Sequence, residues 1–327
     1  MKRDKSRGSA VLLVAILILV LVFAISGLQF LGSTVFHPTG ATQAAQSKTI
    51  VRNGVEYFPR QDITVILMAG IDETGPVESS GSYNNSGEAD MVTLLVFDET
   101  NKVLDVLTLN RDTMLEMPIL GIGGKQAGTA YGQLALAHTY GTGLEDSAVN
   151  LRKTVSDFMY GLHIDYYVTL NMDAIKILTD AVGGVRVNVT DDFSMVDPDI
   201  PMGEVILDGE KAITYVRSRQ GVGDQLNKSR MKRHREFMIG FLDALQTSME
   251  GSASFALQTF EKTGDYTVTD CSSGAITSLA NRLVGYELGD VASIDGENKM
   301  GKEYMEYHVD EEALDRVILK YLYEAKN

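Results

Sequence analysis

Nine residues of this 327-residue chain have the types and spacing to handle a phosphorylated ligand: Asp72, Asp90, Arg111, Asp112, Arg217, Arg219, Arg230, Arg233 and His234. Arg217 and Arg219 stand two apart, so an extended backbone would aim both to one side. Arg230, Arg233, His234 and Phe237 follow the i, i+3, i+4, i+7 spacing of one helix face. Lys228, Lys232 and Arg235 fall on a different face and are expected in solvent. A guanidinium is planar and permanently charged, and its fork matches two phosphate oxygens at once. Asp72 closes one predicted strand and Asp90 opens another. Singly these are ordinary turn residues; as a pair at adjacent strand ends they would bind one hard divalent cation, Mg²⁺ or Mn²⁺. Arg111 and Asp112, in the run NRDT where a strand exits, form either a ligand-facing pair or a structural salt bridge. Four arginines with two carboxylates and a metal would suit a pyrophosphate.

The charge distribution points the same way. Residues 215–237 hold seven Lys and Arg, yet the whole chain carries a formal net charge of −15. A general nucleic-acid binder would show a broad basic excess, whereas a local cluster on an acidic body fits a compact anion. Other chemistries lack their signatures. The five histidines form no HExxH pair, and no Gly-x-Ser-x-Gly elbow is present. The loop GIGGKQAGT (121–129) has Ile119 and Gln126 where a phosphate loop needs Gly and Ser or Thr. Cys271 is the sole cysteine, which excludes an internal disulfide framework; it reads as a residue at the start of a helix over about 271–284.

Those residues need a scaffold and a location. Lys2, Arg3, Lys5 and Arg7 precede an uncharged apolar run from Val11 to Leu31. Such a run makes a helix of about 32 Å, enough to cross a hydrocarbon core of roughly 30 Å. It exceeds the usual apolar core of a cleaved signal peptide, so it reads as an uncleaved anchor. The basic head over 1–8 stays cytoplasmic, the membrane helix covers 9–31, and the rest lies outside the membrane. A polar tether is expected over 32–60 and one folded domain over 61–327. Within it, ITVILMAGID (63–72), MVTLLVFD (91–98), KVLDVLTLNRD (102–112), DYYVTL (165–170) and VRVNV (185–189) read as strands. Helical patterns occupy 131–141, 144–162, 172–184, the stretch beginning at Asp208, 223–246 and 310–325. Interleaved strands and helices define an α/β domain. The hairpin-like 91–109 region makes its central sheet mixed, flanked by helices.

The sequence resembles the LytR–CpsA–Psr family of bacterial envelope proteins over nearly its whole length. The resemblance rests on ILMAGID (66–72), ADMVTLLVFD (89–98), LNRDT (109–113), IDYYVTLNMDAIKILTDAVGGVRVNV (164–189), LDGEKAITYVRSR (207–219) and GDQLNKSRMKRHREF (223–237). It implies a phosphotransferase that moves a glycopolymer from a polyprenyl-pyrophosphate carrier to peptidoglycan on the outer face of the membrane. It also implies that Asp72 and Asp90 sit near Mg²⁺, and that Arg111, Arg217, Arg219, Arg230 and Arg233, with His234, face the pyrophosphate. Asp112 would be a base for the acceptor hydroxyl or an orienter of Arg111. Several positions depart from the family pattern: Ala89-Asp90-Met91 replaces Ser-Asp-Thr, Asn110 replaces Pro, Gln133 replaces Lys and His234 replaces Gln. A pyrophosphatase using water, or a binding protein without turnover, are the rival expectations. The implied partners are the lipid-linked glycan, peptidoglycan and the lipid bilayer, not nucleic acid.

Overall fold

The computed structural model describes residues 49–218, 220–223, 227–250, 262–271 and 286–326. The first half contains β1 (Ile50–Arg52), β2 (Val55–Pro59), β3 (Ile63–Ile71), β4 (Ala89–Asp98), β5 (Val103–Leu109), β6 (Met114–Leu120), β7 (Gln126–Gln133) and α1 (Glu145–Phe158). Then follow β8 (Tyr166–Asn171), α2 (Met172–Ala181), β9 (Val185–Val189), β10 (Gly203–Leu207), α3 (Gly209–Arg217) and α4 (Asn227–Glu250). The chain continues through β11 (Thr267–Thr269), β12 (Glu287–Ser293), β13 (Gly296–Met300), β14 (Met305–Val309), α5 (Glu311–Tyr321) and β15 (Tyr323–Ala325).

A six-stranded sheet, in the order β11-β8-β3-β4-β5-β12, is the centre of the fold. It is mixed: β3 runs parallel to β8 and β5 parallel to β12, while the remaining neighbours are antiparallel. Helices cover both faces, which is why β3 reads as an unbroken apolar run rather than an alternation. On one face Ile66, Leu95, Val106 and Val168 pack against Leu178 of α2, Tyr215 of α3 and Phe241 of α4. On the other, Val65, Leu67, Leu94 and Leu107 pack against Leu151 of α1 and Ile318 of α5. Side-chain caps start α2 and α3: Asn171 accepts from the Ala174 amide and Asp208 from the Lys211 amide.

The strand directions position the site. β3, β5, β8 and β12 all end on one edge, where β4 begins, and ligands of open α/β sheets gather at such carboxyl ends. Along that edge Gly70 pairs with Met91 but Ile71 pairs with Ala89. Asp90 is therefore the extra residue of a β-bulge, a device that re-aims a side chain. Helix α4 reaches the same edge by lying close on β9. A Cβ on Gly240 would come within 2.1 Å of the Arg186 carbonyl oxygen, so only glycine permits the approach.

Several expectations need correction. Residues 50–59, read as the end of a tether, form β1 and β2, and β2 also pairs with β15; the fold thus begins before residue 61. The apolar spacing over 131–141 is not an α-helix but the end of β7 followed by a single 3₁₀ turn, Leu134–Ala137. The last helix stops at Tyr321 and hands over to β15. The expected anchor over 9–31 and the helix over 271–284 lie outside the described residues, apart from Cys271. Among the described residues no helix is long and apolar enough to cross a membrane.

Candidate active site

The cluster is built around Asp90. The bulge buries its carboxylate between two arginines: Arg111 pairs with Oδ1, and Arg230 Nη1 donates to Oδ2 at 2.8 Å. Arg111 leaves the carboxyl end of β5 in a turn that Asn110 fixes. The Asn110 side-chain oxygen accepts from the Asp112 amide at 3.0 Å, and its carbonyl accepts from the Thr113 hydroxyl at 2.7 Å. The Arg111 guanidinium also meets Glu88 and lies 3.5 Å from Asp112. Gln133 Nε2 donates to Asp112 Oδ1 at 3.0 Å and to the Met305 carbonyl at 2.8 Å. Gln133 is thus a neutral link that clamps Asp112 to the β13–β14 hairpin.

Asp72, just past β3, faces Arg217 from the last turn of α3, with Nη2 and Oδ1 2.9 Å apart. The Arg217 side chain is 52% exposed, so it is open to a ligand. Asp72 Oδ1 is buried and faces the Arg217 guanidinium without receiving a well-aligned hydrogen bond. The adjoining loop is held tightly: His138 donates its Nδ1 proton to the Gly87 carbonyl at 2.7 Å, and Asn85 Nδ2 donates to the carbonyls of His138 and Gly141.

Two of the expected phosphate ligands, Arg233 and His234, are held by groups of the protein itself. Arg233, 2% exposed, donates from Nε to the Tyr215 carbonyl at 3.0 Å, from Nη1 to Asp191 at 2.6 Å and from Nη2 to the Ser218 carbonyl. It also lies over the Phe193 ring, 5.6 Å from its centroid. His234 donates its Nε2 proton to the Val216 carbonyl at 2.8 Å. These bonds satisfy carbonyls left open at the end of α3, so Arg233 and His234 hold the helix end from which Arg217 projects. Their spacing on α4 identified the inward face, but what lies opposite is backbone. Arg219 lies outside the described residues. Glu88 and Asp191 were not anticipated. Glu88 stands two before Asp90, and that extended-chain spacing was its one signal. Cys271 is buried, and burial pushes its thiol up, which keeps it out of nucleophilic chemistry.

Burial holds His234 neutral, and the nearby Arg230 charge adds to the effect; its pKa is pushed down to about 3. An unfolded histidine takes up a proton near pH 6.5. Between those values the unfolded state binds more protons, so stability falls as pH drops, by up to about 1.4 kcal/mol per pH unit. Buried His138, also depressed, adds a slope of the same sign. His234→Gln is expected to make the decline in Tm from pH 6.5 towards 3 shallower. An unaltered Tm–pH profile would contradict that assignment.

An apolar cavity of about 90 Å³ opens beside this cluster. Met68, Leu170, Ile175, Phe237 and Phe241 line it, and Asp90 and His234 belong to its wall. The site therefore joins a charged head region to an apolar annex, the shape of a receptor for an anionic amphiphile. The chain belongs to the LytR_cpsA_psr family, whose model matches residues 33–321. A relative named polyisoprenyl-teichoic acid–peptidoglycan teichoic acid transferase TagU, from Enterococcus faecalis, is 29% identical over 62% of this chain and 60% of its own length. The TagT transferase of Bacillus subtilis is 27% identical over 61% and 58%, respectively. The chain thus spans about three fifths of these relatives' lengths. A structure of TagT bound to LIIa-WTA shares the fold at 21% identity, with a TM-score of 0.58 over 79% of this chain and 89% of that one.

Proposed function

We propose that this protein is a membrane-anchored phosphotransferase that moves a glycopolymer from a polyprenyl-pyrophosphate carrier to peptidoglycan. The observation that carries the reading is the placement of Asp90, shared by Arg111 and Arg230, in the wall of an apolar cavity. A pyrophosphate head would meet the guanidinium groups while the first segment of its isoprenoid tail points into the cavity. The relatives' names supply the substrate classes, and the apolar run over 9–31 supplies the anchor that keeps the domain at the outer leaflet.

The charge balance supports a cation. Arg111, Arg217 and Arg230 face four carboxylates, those of Asp72, Glu88, Asp90 and Asp112, so a polyanion needs further positive charge. Asp72 Oδ1, buried without an aligned donor, and the Asp90 carboxylate are hard oxygens suited to Mg²⁺, which typically takes one or two carboxylates and leaves room for phosphate. Bound there, Mg²⁺ would supply Lewis-acid neutralisation of the phosphate oxygens. The chain's own part is positioning and electrostatics, which dominate phosphoryl transfer. Arg111 and Arg230 neutralise the departing polyprenyl phosphate, and Arg217 reaches the phosphates from the open side. A peptidoglycan hydroxyl attacks the distal phosphorus, the bridging P–O bond breaks, and a phosphodiester forms. Asp112, wedged between Arg111 and Gln133, orients the guanidinium. Glu88, whose side chain is 41% exposed, is the better-placed acceptor for the hydroxyl proton.

Arg217→Ala tests this division of labour. Its pair with Asp72 is exposed on the arginine side and contributes at most about 1 kcal/mol. Tm is therefore expected to hold within a few degrees while transfer falls roughly 100-fold, the usual cost of one transition-state donor. Unchanged turnover would remove Arg217 from the site.

A further inference from the structure

A second cavity, with a mixed polar and apolar lining and about 620 Å³ in volume, lies on the other side of α4. At 3.6 residues per turn, Ser229, Lys232 and Arg235 share one flank of this helix, while His234, Phe237, Met238 and Phe241 turn towards the apolar cavity. The other walls are the carboxyl ends of β5 and β12 and the β13–β14 hairpin, with Asn110, Asn298 and Tyr307 among the lining residues. The cavity is joined directly to the reaction centre. Asn110 immediately precedes Arg111, and Ser229 immediately precedes Arg230. The Tyr307 amide donates to the Asp112 carbonyl at 2.9 Å, and Gln133 bridges Asp112 to Met305. Lys232 Nζ donates to Thr190 Oγ1 at 3.1 Å, and Arg235 is exposed and forms no ion pair with a described residue. Of the two acids in the wall, Asp191 is already paired with Arg233, which leaves Asp295 against two cations.

We propose that this cavity is the acceptor subsite and that it takes a carboxylate-bearing glycan strand. The inference rests on the phosphotransfer reading above. Attacking and leaving oxygens in phosphoryl transfer lie roughly in line. If the lipid leaves along the apolar flank of α4, the hydroxyl must approach from the opposite one, where this cavity is. The Asn298 amide suits sugar hydroxyls, and the Tyr307 ring offers a flat face to a pyranose. Lys232 and Arg235 suit carboxylates, such as those of peptidoglycan's stem peptides.

The test uses the full-length protein in detergent micelles. Binding of a soluble, uncrosslinked peptidoglycan oligomer and of a polyprenyl-pyrophosphate-linked saccharide is measured separately, without turnover. The double variant Lys232→Ala/Arg235→Ala is expected to weaken oligomer binding about tenfold, because charge-assisted contacts are lost, and to leave donor affinity unchanged. Both side chains are exposed, so the fold should survive. Asn298→Trp, which fills the cavity without altering charge, is expected to weaken oligomer binding in the same way. Oligomer affinity that is absent in the wild type, or unaltered in these variants, overturns the proposal. So does a loss of donor affinity instead, which would place the donor's own glycan in the cavity. Because binding is read without chemistry, failure of the wild type to transfer counts against the phosphotransfer reading and leaves this test intact.

Discussion

Replacing Arg111 by Ala is expected to lower transfer about 1,000-fold and to lower Tm as well. The kinetic effect follows from position. Arg111 stands at the carboxyl end of β5, where its fork meets Asp90 and Glu88 and lies against Asp112. A guanidinium that stabilises charge on a transferring phosphoryl group contributes on the order of 10³-fold or more. The thermal effect has a separate cause: Asp90 is buried and, among the described residues, would keep Arg230 alone as an opposing charge. Lysine should not rescue activity, because a point charge cannot span three carboxylates and a phosphate as a fork does. Steady-state transfer per folded molecule, with Tm measured in parallel, separates the two effects. Activity within tenfold of wild type would show that Arg111 is structural only.

Arg233→Ala should produce the largest loss of stability. Removing one member of a buried, hydrogen-bonded pair costs about 3–5 kcal/mol, and here Asp191 and the Tyr215 and Ser218 carbonyls all lose their donor. For a domain of this size that corresponds to a Tm decrease of roughly 10 °C. Activity should fall too, but through displacement of Arg217, whose helix end would be released. Lower temperature or a stabilising osmolyte should therefore restore part of the turnover of Arg233→Ala and none of that of Arg217→Ala. A stable Arg233→Ala protein that had lost only donor affinity would return Arg233 to the list of phosphate ligands.

These two arginines mark where sequence reasoning succeeds and where it stops. The apolar run of β3, the alternation of β9 and the Asp208 cap of α3 were legible because local physics determines them. The β6–β7 and β13–β14 hairpins were not. Strand β13, GENKM, is mostly exposed and carries no period-two apolar signal, and β7 is similar. Strand β15 exists because β2 offers it an edge, a tertiary fact. At the site, residue type and helical spacing located the inward face of α4 but did not separate Arg230, which meets Asp90, from Arg233, which meets carbonyls. That distinction depends on how α3 ends against α4. Glu88 and Asp191 were missed because single carboxylates in loops resemble ordinary turn residues until an arginine is seen beside them.

The most direct test of the account follows one phosphorus atom. The full-length protein is incubated with Mg²⁺, a peptidoglycan oligomer and a polyprenyl-pyrophosphate-linked glycan labelled at the distal phosphorus. The label is expected in a glycan–phosphate–peptidoglycan diester, with unlabelled polyprenyl phosphate released in equal amount, and no diester from Arg111→Ala. Label recovered only as free glycan phosphate, at the same rate with and without oligomer, would show that water is the acceptor and contradict the account.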